Sequence, residues 1–155
     1  HRDKPEVKSR KLVTERAWRD KPEVKARQKV QRDRPDVKEK RHKKGNEWMR
    51  NLRLGILLKY SKRLSNSDVS ICYCCGQYFH VDFLAIDHIL GKKQMDSIPE
   101  LVELGYSSKL DKQKLWVWIR DNDYPDGFQI LCHNCNTAKA YPKNNNECPM
   151  KNKPH

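Results

Sequence analysis

Two Cys-x-x-Cys pairs, Cys72/Cys75 and Cys132/Cys135, stand in this chain with 56 residues between them. Tetrahedral zinc takes four soft ligands, and a Cys-x-x-Cys knuckle brings two sulfurs onto one ion by turning the backbone tightly. Gly76 assists that turn after the first pair. The interval is wider than in a zinc ribbon, so a single four-cysteine structural zinc site requires the residues between the pairs to fold as an insertion. A redox pair or disulfides are the competing uses of such cysteines. Cys74 and Cys148 are left over. Cys74 reads as a thiol packed beside the site, with replacement of Cys72 or Cys75 as ligand the alternative. Cys148 lies in a tail without periodicity and either folds back toward the zinc or stands apart.

Charge is concentrated at one end. Residues 1–50 hold 19 Lys/Arg against 9 Asp/Glu, and residues 51–155 hold 14 against 11, so most of the formal +13 belongs to the N-terminal third. A basic segment of this kind fits a polyanion, because neutralising phosphates releases condensed counterions. Nucleic acid, DNA or RNA alike, is the leading partner. A membrane surface is disfavoured, since residues 1–50 lack a sustained apolar face. No run approaches 18 apolar residues and no signal-type segment follows the N-terminus, so the expected setting is intracellular. At 155 residues the length allows one compact domain with an extension. Oligomeric state is not legible.

The basic segment repeats itself: RDKPEVK at 2–8 and 19–25, then RDRPDVK at 32–38. Each copy reads as a helix start, with Asp3, Asp20 and Asp33 as caps and Pro5, Pro22 and Pro35 in the first turn. Glu6, Glu23 and Asp36 stand where a capping-box acid belongs. Few apolar residues punctuate these helices, so residues 1–45 read as a basic arm that orders along a phosphate backbone; a solvated charged arm, mostly disordered alone, is the competing reading. Gly45-Asn46 is expected to interrupt it. Residues 46–66 then read as an amphipathic connecting helix with Trp48, Met49, Leu52, Ile56 and Tyr60 at helical spacing, widened by Leu54, Leu57 and Leu58.

Residues 67–149 read as a small α+β domain: strand, helical insertion, strand, helix. FLAIDHI (83–89) and FQIL (128–131) are the strands, SIPELVELG (97–105) with Ser97 as cap and 110–122 the inserted helices, and NTAKAY (136–141) the last helix. YPDG (124–127) is a turn, and 150–155 a tail. Trp116 and Trp118 read as core cover, not base-stacking platforms. Lys92, Lys93, Lys109, Lys112 and Lys114 are either phosphate contacts or a solvated face. His133 reads as an exposed spacer and Lys139 as a phosphate contact near a helix start.

Asp87-His88 lies between the two knuckles, and Asn136 follows the last cysteine directly. The string CYCCG…FLAIDHI…YPDGFQILCHNCNTAKA…CPM resembles the HNH endonucleases with a ββα-metal, treble-clef-like core, especially phage-type members with a four-cysteine zinc, and is similar to phage recombination endonucleases. The resemblance covers about residues 52–149. It implies a structural zinc on Cys72, Cys75, Cys132 and Cys135, with Asp87 and Asn136 binding a catalytic magnesium or manganese ion. His88 would be the general base that takes a proton from the attacking water, leaving a 5′-phosphate and a 3′-hydroxyl. A phage-encoded member would work in the host cytoplasm. Gly127 stands where many members carry a middle asparagine that braces the loop of the base; Asn122 and Gln129 are the candidate substitutes. Neighbouring strand residues also face opposite ways, so Asp87 and His88 share one phosphate only where the strand twists or ends. The second hypothesis is a nucleic-acid-binding component of a larger assembly that keeps the zinc fold and does not cleave.

Overall fold

Proline sets the helix boundaries of the basic segment. The computed structural model describes the backbone of residues 5–151 and the side chains of residues 12–151, and the chain divides between Glu47 and Trp48 into two compact units. Helix α1 (Pro5–Asp20), α2 (Pro22–Asp33) and α3 (Pro35–Ser65) each begin on a repeat proline. A proline ring excludes the helical conformation from the residue before it. Lys21 (φ −59°, ψ 135°) and Arg34 (φ −57°, ψ 136°) accordingly separate the helices.

That geometry corrects the expected caps. Asp20 and Asp33 end the preceding helices instead of capping the next ones, and no side-chain cap closes α2. Each aspartate instead forms an ion pair across its break, Asp20 with Lys25 at 2.8 Å and Asp33 with Lys38 at 3.4 Å. Asp36 pairs with Arg34 at 3.1 Å. Asp3 lies outside the described residues. Among the described side chains of residues 12–47 none is buried.

Gly45-Asn46 does not interrupt the chain: α3 runs through it for 31 residues. A single glycine costs a helix about 1 kcal/mol relative to alanine, too little to stop one flanked by Lys, Glu, Met and Arg. In the second unit α3 buries Ile56, Leu57 and Tyr60 completely. Met49 and Leu52 pack partly against the same core, whereas Trp48, Leu54 and Leu58 of the expected stripe stay exposed. Asn66, at φ 50°, turns the chain away after Ser65.

Strands β1 (Leu84–His88) and β2 (Phe128–Cys132) form an antiparallel pair. Helices α4 (Pro99–Glu103) and α5 (Lys112–Asp121) lie in the insertion between them, and α6 (His133–Ala140) follows β2 directly. The second unit is therefore α+β with a two-stranded sheet. Ser97 does not cap α4: Ile98 holds the cap position ahead of Pro99, and Ser97 Oγ donates to Gln94 O at 2.7 Å. Asp111 caps α5 by accepting from Lys114 N at 2.9 Å. Trp116 is buried, and Trp118 Nε1 donates to Leu104 O at 2.7 Å, so both tryptophans serve packing.

α3 fixes where both strands start. Arg53 donates to Val81 O at 2.9 Å and Leu84 O at 2.6 Å, ahead of and within β1. Tyr60 Oη donates to Pro125 O at 2.7 Å and Arg63 to Tyr124 O at 2.7 Å, in the turn before β2. No helix among the described residues is long and apolar enough to cross a membrane.

Candidate metal centre and candidate active site

Each knuckle is built from backbone that the sequence makes tight. In the first, Gly76 N donates to Cys72 O at 2.8 Å and Cys72 N to Gln77 O at 3.1 Å. Gly76 takes φ +70°, which glycine adopts without steric cost. Tyr73 N donates to Ile130 O at 2.8 Å and ties this knuckle to β2. In the second, Cys132 ends β2 and caps α6, its sulfur accepting from Cys135 N at 3.4 Å.

The sulfurs of Cys72, Cys75, Cys132 and Cys135 all lie within 4.8 Å of one another. Four sulfurs bound at about 2.3 Å around a tetrahedral ion stand about 3.8 Å apart. The cage therefore suits a tetrahedral metal such as zinc, as the cysteine spacing implies. Burial works against a Cys72 thiolate, but backbone N–H groups of Cys132, Cys75 and Cys74 offset it and hold that thiol below its ordinary range. Burial instead pushes the Cys75 thiol up to about 11. The two leftover cysteines are both buried, Cys148 included, so its tail folds back onto the domain.

Cross-strand register sorts Asp87 and His88 onto different faces. Asp87 pairs with Gln129 and His88 with Phe128. On the first face Gln129 Nε2 donates to Asp87 Oδ2 at 2.7 Å, and Lys139 Nζ, from α6, reaches the same oxygen at 2.6 Å. On the second face the His88 ring packs 5.1 Å from the Phe128 ring and 6.0 Å from that of Tyr106. Its Nε2 is sealed from solvent without a hydrogen-bond partner. Burial lowers the His88 pKa and outweighs the opposing effect of Asp87, so the imidazole is neutral at pH 7.

Lys139 is not the phosphate contact expected from its place near a helix start. Its side chain is 5% exposed, and it donates to His88 O at 2.7 Å and Ile89 O at 3.0 Å as well as to Asp87. An ammonium has three hydrogens, and here each finds an oxygen. Sequence reasoning missed this role, although one signal was present: Lys139 lies three residues after Asn136, and i,i+3 residues share a helix face. Asn136 is half-buried, one turn ahead of the lysine that grips Asp87.

Of the two candidate braces, Gln129 reaches the site and Asn122 does not; Asn122 Nδ2 instead donates to Trp118 O at 2.8 Å, within the end of α5. The loop after β1 is held from other directions, by Lys139 and by Asn146, which donates to Ile89 O at 2.9 Å. Gly127 contributes its carbonyl, which accepts from Ile89 N at 2.9 Å. It sits at φ +98°, and a Cβ there would come 2.8 Å from the Met95 methyl carbon. An asparagine here is strained by the positive φ and requires the flexible Met95 side chain to shift. Gly127→Asn is expected to lower stability by about 1–3 kcal/mol, the cost of holding a side-chain-bearing residue in such a conformation, measured by urea unfolding. An unchanged midpoint would contradict the strain.

Of the lysines read as either phosphate contacts or a solvated face, Lys92 donates to Leu110 O at 3.3 Å, Lys112 lies 5.1 Å from the Trp116 ring centroid, and Lys114 pairs with Asp111 at 3.2 Å. His133 is exposed, with Nε2 3.0 Å from Asp82 O. No protein-family model, curated protein or solved structure matches this chain.

Proposed function

We propose that this chain is a metal-dependent HNH-type endonuclease of the ββα-metal fold that hydrolyses DNA phosphodiester bonds. The observation that carries the reading is the Lys139–Asp87 contact. It docks the α6 face bearing Asn136 against the strand end bearing Asp87, bringing together residues 52 positions apart in sequence at 2.6 Å. Both donors to Asp87 converge on Oδ2, which leaves Oδ1 as the oxygen for a cation.

Asp87 and Asn136 would hold a divalent cation such as magnesium, which would supply neutralisation of phosphate charge and stabilisation of the leaving oxygen. Oxygen donors with room for retained waters suit such a hard ion. Nε2 of His88 is sealed, so Nδ1 is the nitrogen that takes the proton from water. Asp87 and His88 are the last two residues of β1 and face opposite sides of it, so both reach one phosphate only at the strand end. The four-cysteine cage holds β2 and α6 to the first knuckle and so keeps the Asp87 and Asn136 segments in register. The basic arm of residues 1–45 supplies a sequence-tolerant grip on the phosphate backbone.

A second reading is favoured by the same lysine. Lys139 already neutralises Asp87, which weakens the carboxylate as a cation ligand, and His88 stacks into an aromatic cluster. Both suit a zinc-fold module that binds nucleic acid without cutting it. Plasmid nicking separates the two. The endonuclease nicks supercoiled DNA with magnesium or manganese, and His88→Ala loses about 100-fold or more of that activity while retaining DNA binding. No cutting by the wild-type chain with either ion would leave the binding module.

A further inference from the structure

We infer that Cys74, Cys135 and Cys148 form a second metal-binding position, sharing the Cys135 sulfur with the four-cysteine cage and accepting a soft, thiophilic ion such as zinc. The three sulfurs lie within 4.8 Å of one another. Three sulfurs bound at about 2.3 Å on three corners of a tetrahedral ion stand about 3.8 Å apart, so the spacing fits a three-thiolate ion. All three residues are buried, at 7%, 0% and 8% exposure. Cys135 belongs to both sulfur groups, and a thiolate has lone pairs enough to bridge two ions.

Cys148 arrives at this position by a constructed path. Asn145 and Asn146 hold φ 48° and 63° in succession, left-handed conformations that asparagine tolerates better than other non-glycine residues. Asn144 Nδ2 donates to Ala138 O at 2.6 Å and Asn146 Nδ2 to Ile89 O at 2.9 Å. These bonds fold the tail over α6 and set Cys148 beside Cys74.

Three protein ligands leave a tetrahedral ion one open position. Cys74 and Cys148 both line a pocket of about 400 Å³, with Tyr73, Glu147 and Lys151 among its walls. Water or a small ligand has access to the ion from that side. Structural zinc sites are closed by four protein ligands, whereas sites with three keep an exchangeable position. The shared-sulfur ion is therefore the weaker of the two and leaves first under chelation.

The test uses the full chain, reduced and loaded with cadmium without oxygen, with bound metal counted by native mass spectrometry and fold followed by near-ultraviolet circular dichroism. The wild type is expected to bind two cadmium ions. Limited chelator should remove one of them with the spectrum unchanged. Cys148→Ser and, separately, Cys74→Ser are expected to bind one ion with the native spectrum retained. A single ion on the wild type would overturn the inference. So would two ions on the Cys74→Ser/Cys148→Ser double variant, or a Cys74–Cys148 disulfide persisting in the reduced, metal-loaded chain. Loss of both ions on Cys75→Ser, with the Cys148→Ser variant still binding one, would locate the stronger ion in the four-cysteine cage and leave the second dependent on it.

Discussion

Cys132→Ser is expected to abolish the cooperative fold of residues 48–151, read as loss of the near-ultraviolet signal of Trp116 and Trp118 and of the thermal transition. Cys132 is at once a cage sulfur, the last residue of β2 and the cap of α6. Its sulfur accepts the Cys135 N–H, and two of its three neighbours in the cage, Cys72 and Cys135, are buried. Structural zinc contributes roughly 10–16 kcal/mol in small metallodomains at neutral pH. Domain stabilities are about 5–15 kcal/mol, so losing the ion removes a term as large as the total. Strong chelation of the wild-type chain should reproduce the effect. A variant that keeps the wild-type transition would show that the apolar core of Ile56, Tyr60, Ile119 and Phe128 holds the domain without metal.

Lys139→Met should cost about 3–5 kcal/mol, because it leaves the largely shielded Asp87 carboxylate stripped of its counter-charge. The two side chains are 5% and 13% exposed and 2.6 Å apart, so solvent does little to replace the lost partner. The His88 and Ile89 carbonyls lose a donor in the same substitution. Methionine fills most of the volume of lysine, which confines the effect to charge and hydrogen bonding. The double substitution Lys139→Met/Asp87→Leu, which removes both charges, should recover a large part of the loss. Equilibrium urea unfolding measures both. Equal stability of Lys139→Met and the wild type would sink the ion pair as a structural element.

The two predictions also bear on how function and stability divide. The cage and the Lys139 contacts act on different parts of one frame, the first on the β2–α6 junction and the second on the end of β1. If Asp87 serves a cation, it does so through Oδ1 while Oδ2 stays committed to the scaffold.

Particular residues show what could be read in advance. The paired cysteines announced the cage, because a four-sulfur site depends on ligand type and local spacing. The composition of FLAIDHI and FQIL marked both strands, and the structure places them within a residue of the expected limits. Proline marked the helix starts for the same local reason. Caps at Asp20, Asp33 and Ser97 failed because the proline after them shifts the boundary by one residue. The break at Gly45-Asn46 failed because propensity is a weak preference that strong helix formers on both sides override.

What the chain's sequence determined by itself was everything set within a few bonds: the knuckles, the helix starts, the strand segments and the concentration of positive charge. Tertiary structure alone decided the partners. It sent Lys139 inward to Asp87 and away from solvent, turned His88 onto Phe128, chose Gln129 over Asn122, and folded Cys148 back to Cys74. The physical reason is that a side chain's role at a site follows from which oxygen, ring or sulfur lies within about 3–5 Å of it. For these residues every such neighbour but the cross-strand ones comes from an element whose docking the local sequence does not encode.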